Sequence, residues 1–264
     1  MYYKKFLIQI EELNRSAYLY VGLPENYDTT QKKYPVLYMN DGHNVFCDED
    51  SYSGVSWGLI KAYENNPNLP EIIVVGLQCA VEGLERFNEY CPYDIKFPAA
   101  LERSNNMPIG GKGDLYLNYI INTLKPRIDA EYRTLKTPEH TAIMGSSMGG
   151  VISMHAALKH NNIFSRAASL SGSFFVALES MLNSIEEYDL SNINKLYIDA
   201  GTKEIGLGKE QDYINSNKAI FTTLSKKLDK DKLYFQLITD GIHHESHWSQ
   251  RLPYIIQYLF SDIC

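Results

Sequence analysis

Residues Gly145-Ser146-Ser147-Met148-Gly149-Gly150 place Ser147 between two glycines, each two positions away. The apolar run 141–144 precedes them, and Val151-Ile152-Ser153-Met154 begins an amphipathic stretch behind them. A Gly-x-Ser-x-Gly segment between a strand and a helix has a mechanical meaning. The turn is tight enough to strain the serine backbone, and the glycines remove Cβ atoms that would collide. The hydroxyl then projects above the sheet at the positive end of the following helix. Ser147 is the candidate nucleophile, since Ser146 occupies the variable position of the motif. The Met148 N–H is a candidate donor to a developing oxyanion. The chemistry implied is acyl transfer through a covalent intermediate.

A serine hydroxyl is a weak nucleophile at its own pKa and needs a base held by a third group. For a serine on this kind of turn the partners follow in the chain order serine, acid, histidine. His155, His160, His243, His244 and His247 all come after Ser147. The first two lie on or at the end of the helix behind the serine and read as structural. The other three fall in Asp240-Gly241-Ile242-His243-His244-Glu245-Ser246-His247-Trp248, behind the last predicted strand. Spacing leaves His243 and His244 level, while His247 stands nearer the closing helix and is less well placed. The acid belongs in the segment ending Asp199-Ala200-Gly201-Thr202-Lys203-Glu204. Asp199 is within the strand, Glu204 follows the Gly-Thr turn, and Asp240 is a third candidate from the neighbouring loop. The carboxylate's task is to hold the imidazole tautomer and stabilise the imidazolium. His244-Glu245-Ser246-His247 is one residue short of His-Glu-x-x-His, so its imidazoles do not share a helical face and no metal is expected.

These groups need a frame. Strand-like runs occur at 6–10 and 17–21, then at 36–39, 72–75, 141–144, 167–170, 196–198 and 233–238. The first two read as an antiparallel edge. The later runs are apolar throughout, as a parallel sheet covered on both faces requires. Helical stretches are expected at 57–63, 115–128, 151–159, 213–228 and 248–260, with Pro253 kinking or restarting the last. The result is one α/β domain over residues 1–264, with a mostly parallel eight-stranded sheet, helices on both faces and antiparallel N-terminal strands. Ligands then sit beyond the carboxyl ends of the strands. Residues 79–112 lack clean periodicity and are expected to form an irregular loop insertion near the active site.

Composition narrows the partners. A net charge of −7 argues against a nucleic-acid surface, which would carry a basic stripe. No window approaches the roughly 20 apolar residues of a membrane span. Met1-Tyr2-Tyr3-Lys4-Lys5 runs straight into a strand and not into an apolar signal core. Cys47, Cys79, Cys91 and Cys264 form no Cys-x-x-Cys pair. A cytoplasmic protein with free thiols is expected.

Several separated motifs add a resemblance. They are Tyr34-Pro35-Val36-Leu37-Tyr38-Met39-Asn40-Asp41-Gly42-His43-Asn44-Val45-Phe46, Arg86 with Glu89-Tyr90-Cys91-Pro92, and Leu124-Lys125-Pro126. Residues 141–150, Gly201-Thr202-Lys203-Glu204, and His243 with Glu245, Trp248 and Arg251-Leu252-Pro253 complete the set. In this order they resemble the serine esterase family of the α/β-hydrolase superfamily, which includes siderophore trilactone esterases, esterase D and some feruloyl esterases. The resemblance covers nearly the whole chain. It implies the α/β-hydrolase fold, His243 as the base, Glu204 as the acid and no cofactor. It also implies a second oxyanion donor beside Met148, the backbone N–H of His43, with Gly42 as the alternative. Many relatives carry His-Gly or a Gln where this chain has Asp41-Gly42 and His43, so the His43 side chain is a candidate either for substrate contact or for shaping the loop.

Arg86, Glu89, Tyr90 and Trp248 are candidate substrate contacts; alternatively, Arg86 pairs with Glu89 to brace the loop. The activity expected is that of a serine carboxylic-ester hydrolase acting through an acyl-enzyme on a small or medium acyl ester. An acyltransferase using the same triad, or a non-catalytic binding protein on the same scaffold, are the alternatives.

Overall fold

One eight-stranded sheet organises the computed structural model, which describes residues 1–263. Its strands are β1 (Tyr2–Ile10), β2 (Arg15–Leu23), β3 (Val36–Asn40), β4 (Ile73–Leu77), β5 (Thr141–Ser146), β6 (Arg166–Leu170), β7 (Lys195–Gly201) and β8 (Leu233–Ile238). Across the sheet the order is β1-β2-β4-β3-β5-β6-β7-β8. β1 pairs with β2 and β2 with β4 antiparallel, and every later pairing is parallel. The expected sheet, with its antiparallel N-terminal strands, is the one observed.

Every residue of β3, β4, β5 and β6 is buried, which is why these segments read as unbroken apolar runs. Side chains alternate between the two faces. Val36 and Tyr38 join one core cluster and Leu37 and Met39 the other.

The helices are α1 (Leu59–Asn65), α2 (Glu85–Tyr90), α3 (Pro98–Arg103), α4 (Gly113–Tyr119), α5 (Lys125–Glu131), α6 (Met148–Lys159), α7 (Leu178–Glu187), α8 (Glu210–Leu224), α9 (Glu245–Trp248) and α10 (Leu252–Phe260). Leu59 of α1 packs on the second cluster with Ile255, Ile256 and Leu259 of α10. Leu117 of α4, Ile152 of α6, Ile185 of α7 and Ile220 of α8 pack on the first. Wholly buried side chains of this kind each contribute about 1.5–3 kcal/mol relative to exposure.

The structure departs from the periodicity in four places. Residues 79–112 are not simply irregular, because α2 and α3 lie within them; six-residue helices are too short to show a period. α7, between β6 and β7, is an additional helix, buried through Met181, Ser184 and Ile185. The predicted helix 115–128 is split by a wide turn at Ile120–Leu124. Pro126, which lacks an N–H and crowds the preceding turn, stands at the start of the continuation. The predicted helix 248–260 divides into α9 and α10, with Pro253 in the first turn of α10, where its missing N–H leaves no acceptor unpaired. Among the described residues no helix is long and apolar enough to cross a membrane.

Candidate active site

Ser147 stands alone between β5 and α6 with φ 57° and ψ −122°, a conformation that a non-glycine residue adopts only when its surroundings enforce it. The enforcement is close packing. A Cβ on Gly145 would lie 2.8 Å from the Gly149 backbone, and one on Gly149 would lie 3.1 Å from a carboxylate oxygen of Asp41. The Ser147 N–H donates to Leu170 O at 2.9 Å, which pins the turn to β6. Met148 opens α6, so its N–H has no intrahelical acceptor and faces the positive end of the helix.

The loops after β7 and β8 are laced together. The Lys203 N–H donates to Gly241 O at 2.9 Å and the Thr202 N–H to Ile238 O at 3.0 Å. Gly201 is required for this approach, because a Cβ there would stand 2.2 Å from Gly241 O. The lacing brings Glu204 to His243, with Oε2 to Nδ1 at 2.7 Å. Glu204 is fully buried, and its Oε1 accepts the Gly201 N–H at 2.8 Å. Burial alone would raise this carboxyl, but hydrogen bonds from His243, the Ser171 hydroxyl and the Gly201 N–H outweigh it and hold it below the ordinary range. The His243 ring is held between Tyr213, 4.8 Å away, and the edge-on Trp248, 5.0 Å away. With Nδ1 engaged, Nε2 is the nitrogen left for the cleft.

The other acid candidates are committed elsewhere. Asp199 is buried and takes Arg251 Nε at 2.7 Å and Nη2 at 3.2 Å, along with the Tyr197 hydroxyl at 2.8 Å. Asp240 is exposed and pairs with Lys203 at 2.8 Å. Among the histidines, His244 caps α9 by accepting the Ser246 N–H. His155, within α6, bonds Asp114 and Tyr93. His160 closes α6, and His247 lies within α9.

After β3 the chain turns through Asp41, in the left-handed region at φ 56°, into the Gly42–Asn44 turn. The turn's own bonds run from the Asn44 N–H to Asp41 O and from the Val45 N–H to Gly42 O, leaving the His43 N–H unused by the turn. Arg86 clamps Asp41 with Nε at 2.7 Å and Nη2 at 2.8 Å. Burial pushes Asp41 up, and the Arg86 guanidinium more than reverses this, so its carboxylate titrates below the usual value. His43 is buried with Nδ1 unpartnered, and burial holds it below the ordinary imidazole range despite Asp41.

The brace expected between Arg86 and Glu89 is not made. Glu89 turns inward to Arg15 of β2, at 2.5 and 2.6 Å, because β2 offers a guanidinium in the interior while Arg86 is drawn to Asp41. Tyr90 is wholly buried, and its hydroxyl accepts the Asp41 N–H at 2.9 Å. Neither Glu89 nor Tyr90 lines the cleft that contains Ser147. Arg86 and Trp248 do, with His43, Phe87 and His243, around a volume of about 400 Å³.

Four further residues complete the site: Ser171, Ser173, Tyr213 and Asn217. Ser171 accepts the Trp248 indole N–H at 2.9 Å, and the Ser173 hydroxyl lies 3.1 Å from the Ser147 hydroxyl. Asn217 donates to Gly172 O at 2.7 Å. These residues form no motif, and their signal in the sequence is one of position. Ser171-Gly172-Ser173 directly follows the apolar run 167–170, at a carboxyl end where ligand-facing residues gather.

Comparison with known proteins follows the same outline. The family described as "Putative esterase" matches residues 10–259. The Bacillus subtilis proteins YbbA and YjcH are 26% identical over 94% of this chain and 28% identical over 93%, covering 93% and 91% of their own lengths. Among solved structures, the enterobactin esterase of Shigella flexneri superposes with a TM-score of 0.77 at 17% identity. It covers all of this chain, which spans 60% of the length of that esterase. An IroE-like serine hydrolase from Shewanella oneidensis superposes at 0.76 with 22% identity, over 100% of this chain and 81% of its own. A ferulic acid esterase superposes at 0.72 with 18% identity, over 97% and 98%. With a family match over nearly its whole length and an α/β-hydrolase sheet, the chain belongs to this esterase family and is an ester hydrolase.

Proposed function

We propose that the protein hydrolyses small or medium acyl esters by a serine acyl-enzyme route in which Ser147 attacks, His243 moves the proton and Glu204 orients the imidazole. The observation that carries this reading is the 2.7 Å bond from buried Glu204 to His243, with the strained Ser147 opening into the same cleft. Substrate binding turns the Ser147 proton toward Nε2 of His243 while its oxygen stays beside the Ser173 hydroxyl. Serine oxygen then attacks the ester carbonyl as Nε2 takes its proton, and the imidazolium is stabilised by Glu204. The N–H groups of Met148 and His43 stabilise the oxyanion, and the Asp41–Arg86 clamp keeps the His43 turn in place. His243 returns the proton to the departing alcohol, and water repeats the sequence to release the acid.

A cleft of about 400 Å³ with Phe87 and Trp248 in its walls has room for an aromatic acyl group. Structural neighbours named for enterobactin and ferulic acid make aromatic-acyl esters the first to compare with acetyl and butyryl ones. Ser147→Ala should lower turnover of a chromogenic short-chain ester by about 10⁴-fold or more, with thermal unfolding unchanged. Turnover at the wild-type level in the purified variant would sink the proposal.

A further inference from the structure

Ser147 rests its hydroxyl on Ser173, Oγ to Oγ at 3.1 Å. Ser173 is only 1% exposed and is tied down on every side. Its N–H donates to Ser147 O at 3.1 Å, and its carbonyl accepts the Val176 N–H at 3.1 Å. The preceding Gly172 carbonyl takes the Asn217 side-chain N–H at 2.7 Å. No side chain fits at position 172, where a Cβ would lie 2.5 Å from the Phe174 ring and from Ser169 Oγ. The Ser173 hydroxyl therefore sits on rigid backbone beside the one oxygen that the proposed reaction makes and breaks bonds to.

We infer that Ser173 is a further catalytic residue, a fixed hydrogen-bond donor to the Ser147 oxygen that acts when the acyl group leaves. The inference rests on the acyl-enzyme reading above. In the free enzyme either hydroxyl can donate to the other. Once Ser147 Oγ carries an acyl group it has no proton, so Ser173 is the donor of the pair. An ester oxygen accepts weakly, whereas an oxygen gaining alkoxide character accepts strongly. The bond therefore strengthens during deacylation, and only such a difference between ground and transition state accelerates a step. In that step His243 takes a proton from water and the water oxygen bonds to the acyl carbon. The bond from that carbon to Oγ breaks, and the proton passes from His243 to Oγ. Ser173 keeps its own proton throughout. In acylation the starting acceptor is a hydroxyl oxygen, already a better acceptor than an ester oxygen, so the bond gains less on reaching that transition state and its removal slows that step less.

The test is Ser173→Ala with a p-nitrophenyl short-chain ester, whose good leaving group makes acylation fast. kcat and KM should fall together by about tenfold, with kcat/KM changed much less. Acid-quenched samples should carry the acyl mass on the protein, and it should decay at the reduced rate. Labelling by a fluorophosphonate at the wild-type rate reports an intact, folded site. An equal fall in kcat and kcat/KM, an unchanged kcat, or slowed labelling overturns the inference. Failure of the acyl-enzyme reading looks different, because Ser147→Ala would then keep its activity.

Discussion

Asp199 and Glu204 lie five positions apart, at the end of β7 and in the loop beyond it, and neither side chain reaches solvent. Asp199 faces Arg251, a permanent cation that grips both carboxylate oxygens. Glu204 faces the His243 imidazole and accepts a backbone N–H on its other oxygen. Two buried acids in one short segment thus take different work from their partners. The guanidinium fixes the charge of Asp199 and ties the start of α10 to the sheet, while Asp199 itself accepts the Ser171 N–H. An imidazole at the same distance leaves a proton free to move. Burial by itself distinguishes neither.

The sharpest way to separate the two acids is to remove each charge without changing shape. Glu204→Gln should leave the fold intact and lower kcat/KM by about 10⁴-fold, because the imidazole loses both its tautomer control and the stabilisation of its cation. Steady-state kinetics beside a thermal melt reads this directly, and near-normal turnover would break the comparison. Asp199→Asn should do the opposite. It leaves Arg251 buried without its counter-charge, a loss of about 3–5 kcal/mol of stability. Denaturant unfolding should register that loss while the folded fraction retains activity.

A smaller effect concerns acid. The Glu204 carboxyl is held below its ordinary value, so its contribution to stability is complete above the unfolded-state pKa near 4.5. That contribution disappears as pH falls through the lower folded-state value. The stability difference between wild type and Glu204→Gln should therefore shrink as pH falls below about 5. A difference that grew on acidification would reverse the assigned sign.

Much of the site can be read locally. The serine turn is legible because Gly145, Ser147 and Gly149 are two residues apart and the constraint on Gly145 is steric and local, although the one on Gly149 comes from distant Asp41. The sheet is legible because buried parallel strands leave unbroken apolar runs. Choosing among Asp199, Glu204 and Asp240 is not local, since the rival carboxylates are claimed by Arg251, 52 positions on, and by Lys203. Arg86 and Glu89 illustrate the same limit. Helical spacing would let them meet, yet Asp41 and Arg15 take them, 45 and 74 positions away. Short helices such as α2 and α3 leave too few turns for a period to appear.

By itself the sequence determined the order of the strands, the position of α6 and α8 between them, and the Gly-x-Ser-x-Gly turn. These follow from sterics and hydrophobic periodicity within a few residues. Tertiary structure alone decided which acid meets His243, which guanidinium holds the His43 turn, and that Ser173 lies against Ser147. Those outcomes depend on which buried polar groups satisfy one another across the sheet ends, and distant segments meet there only once the strands are paired.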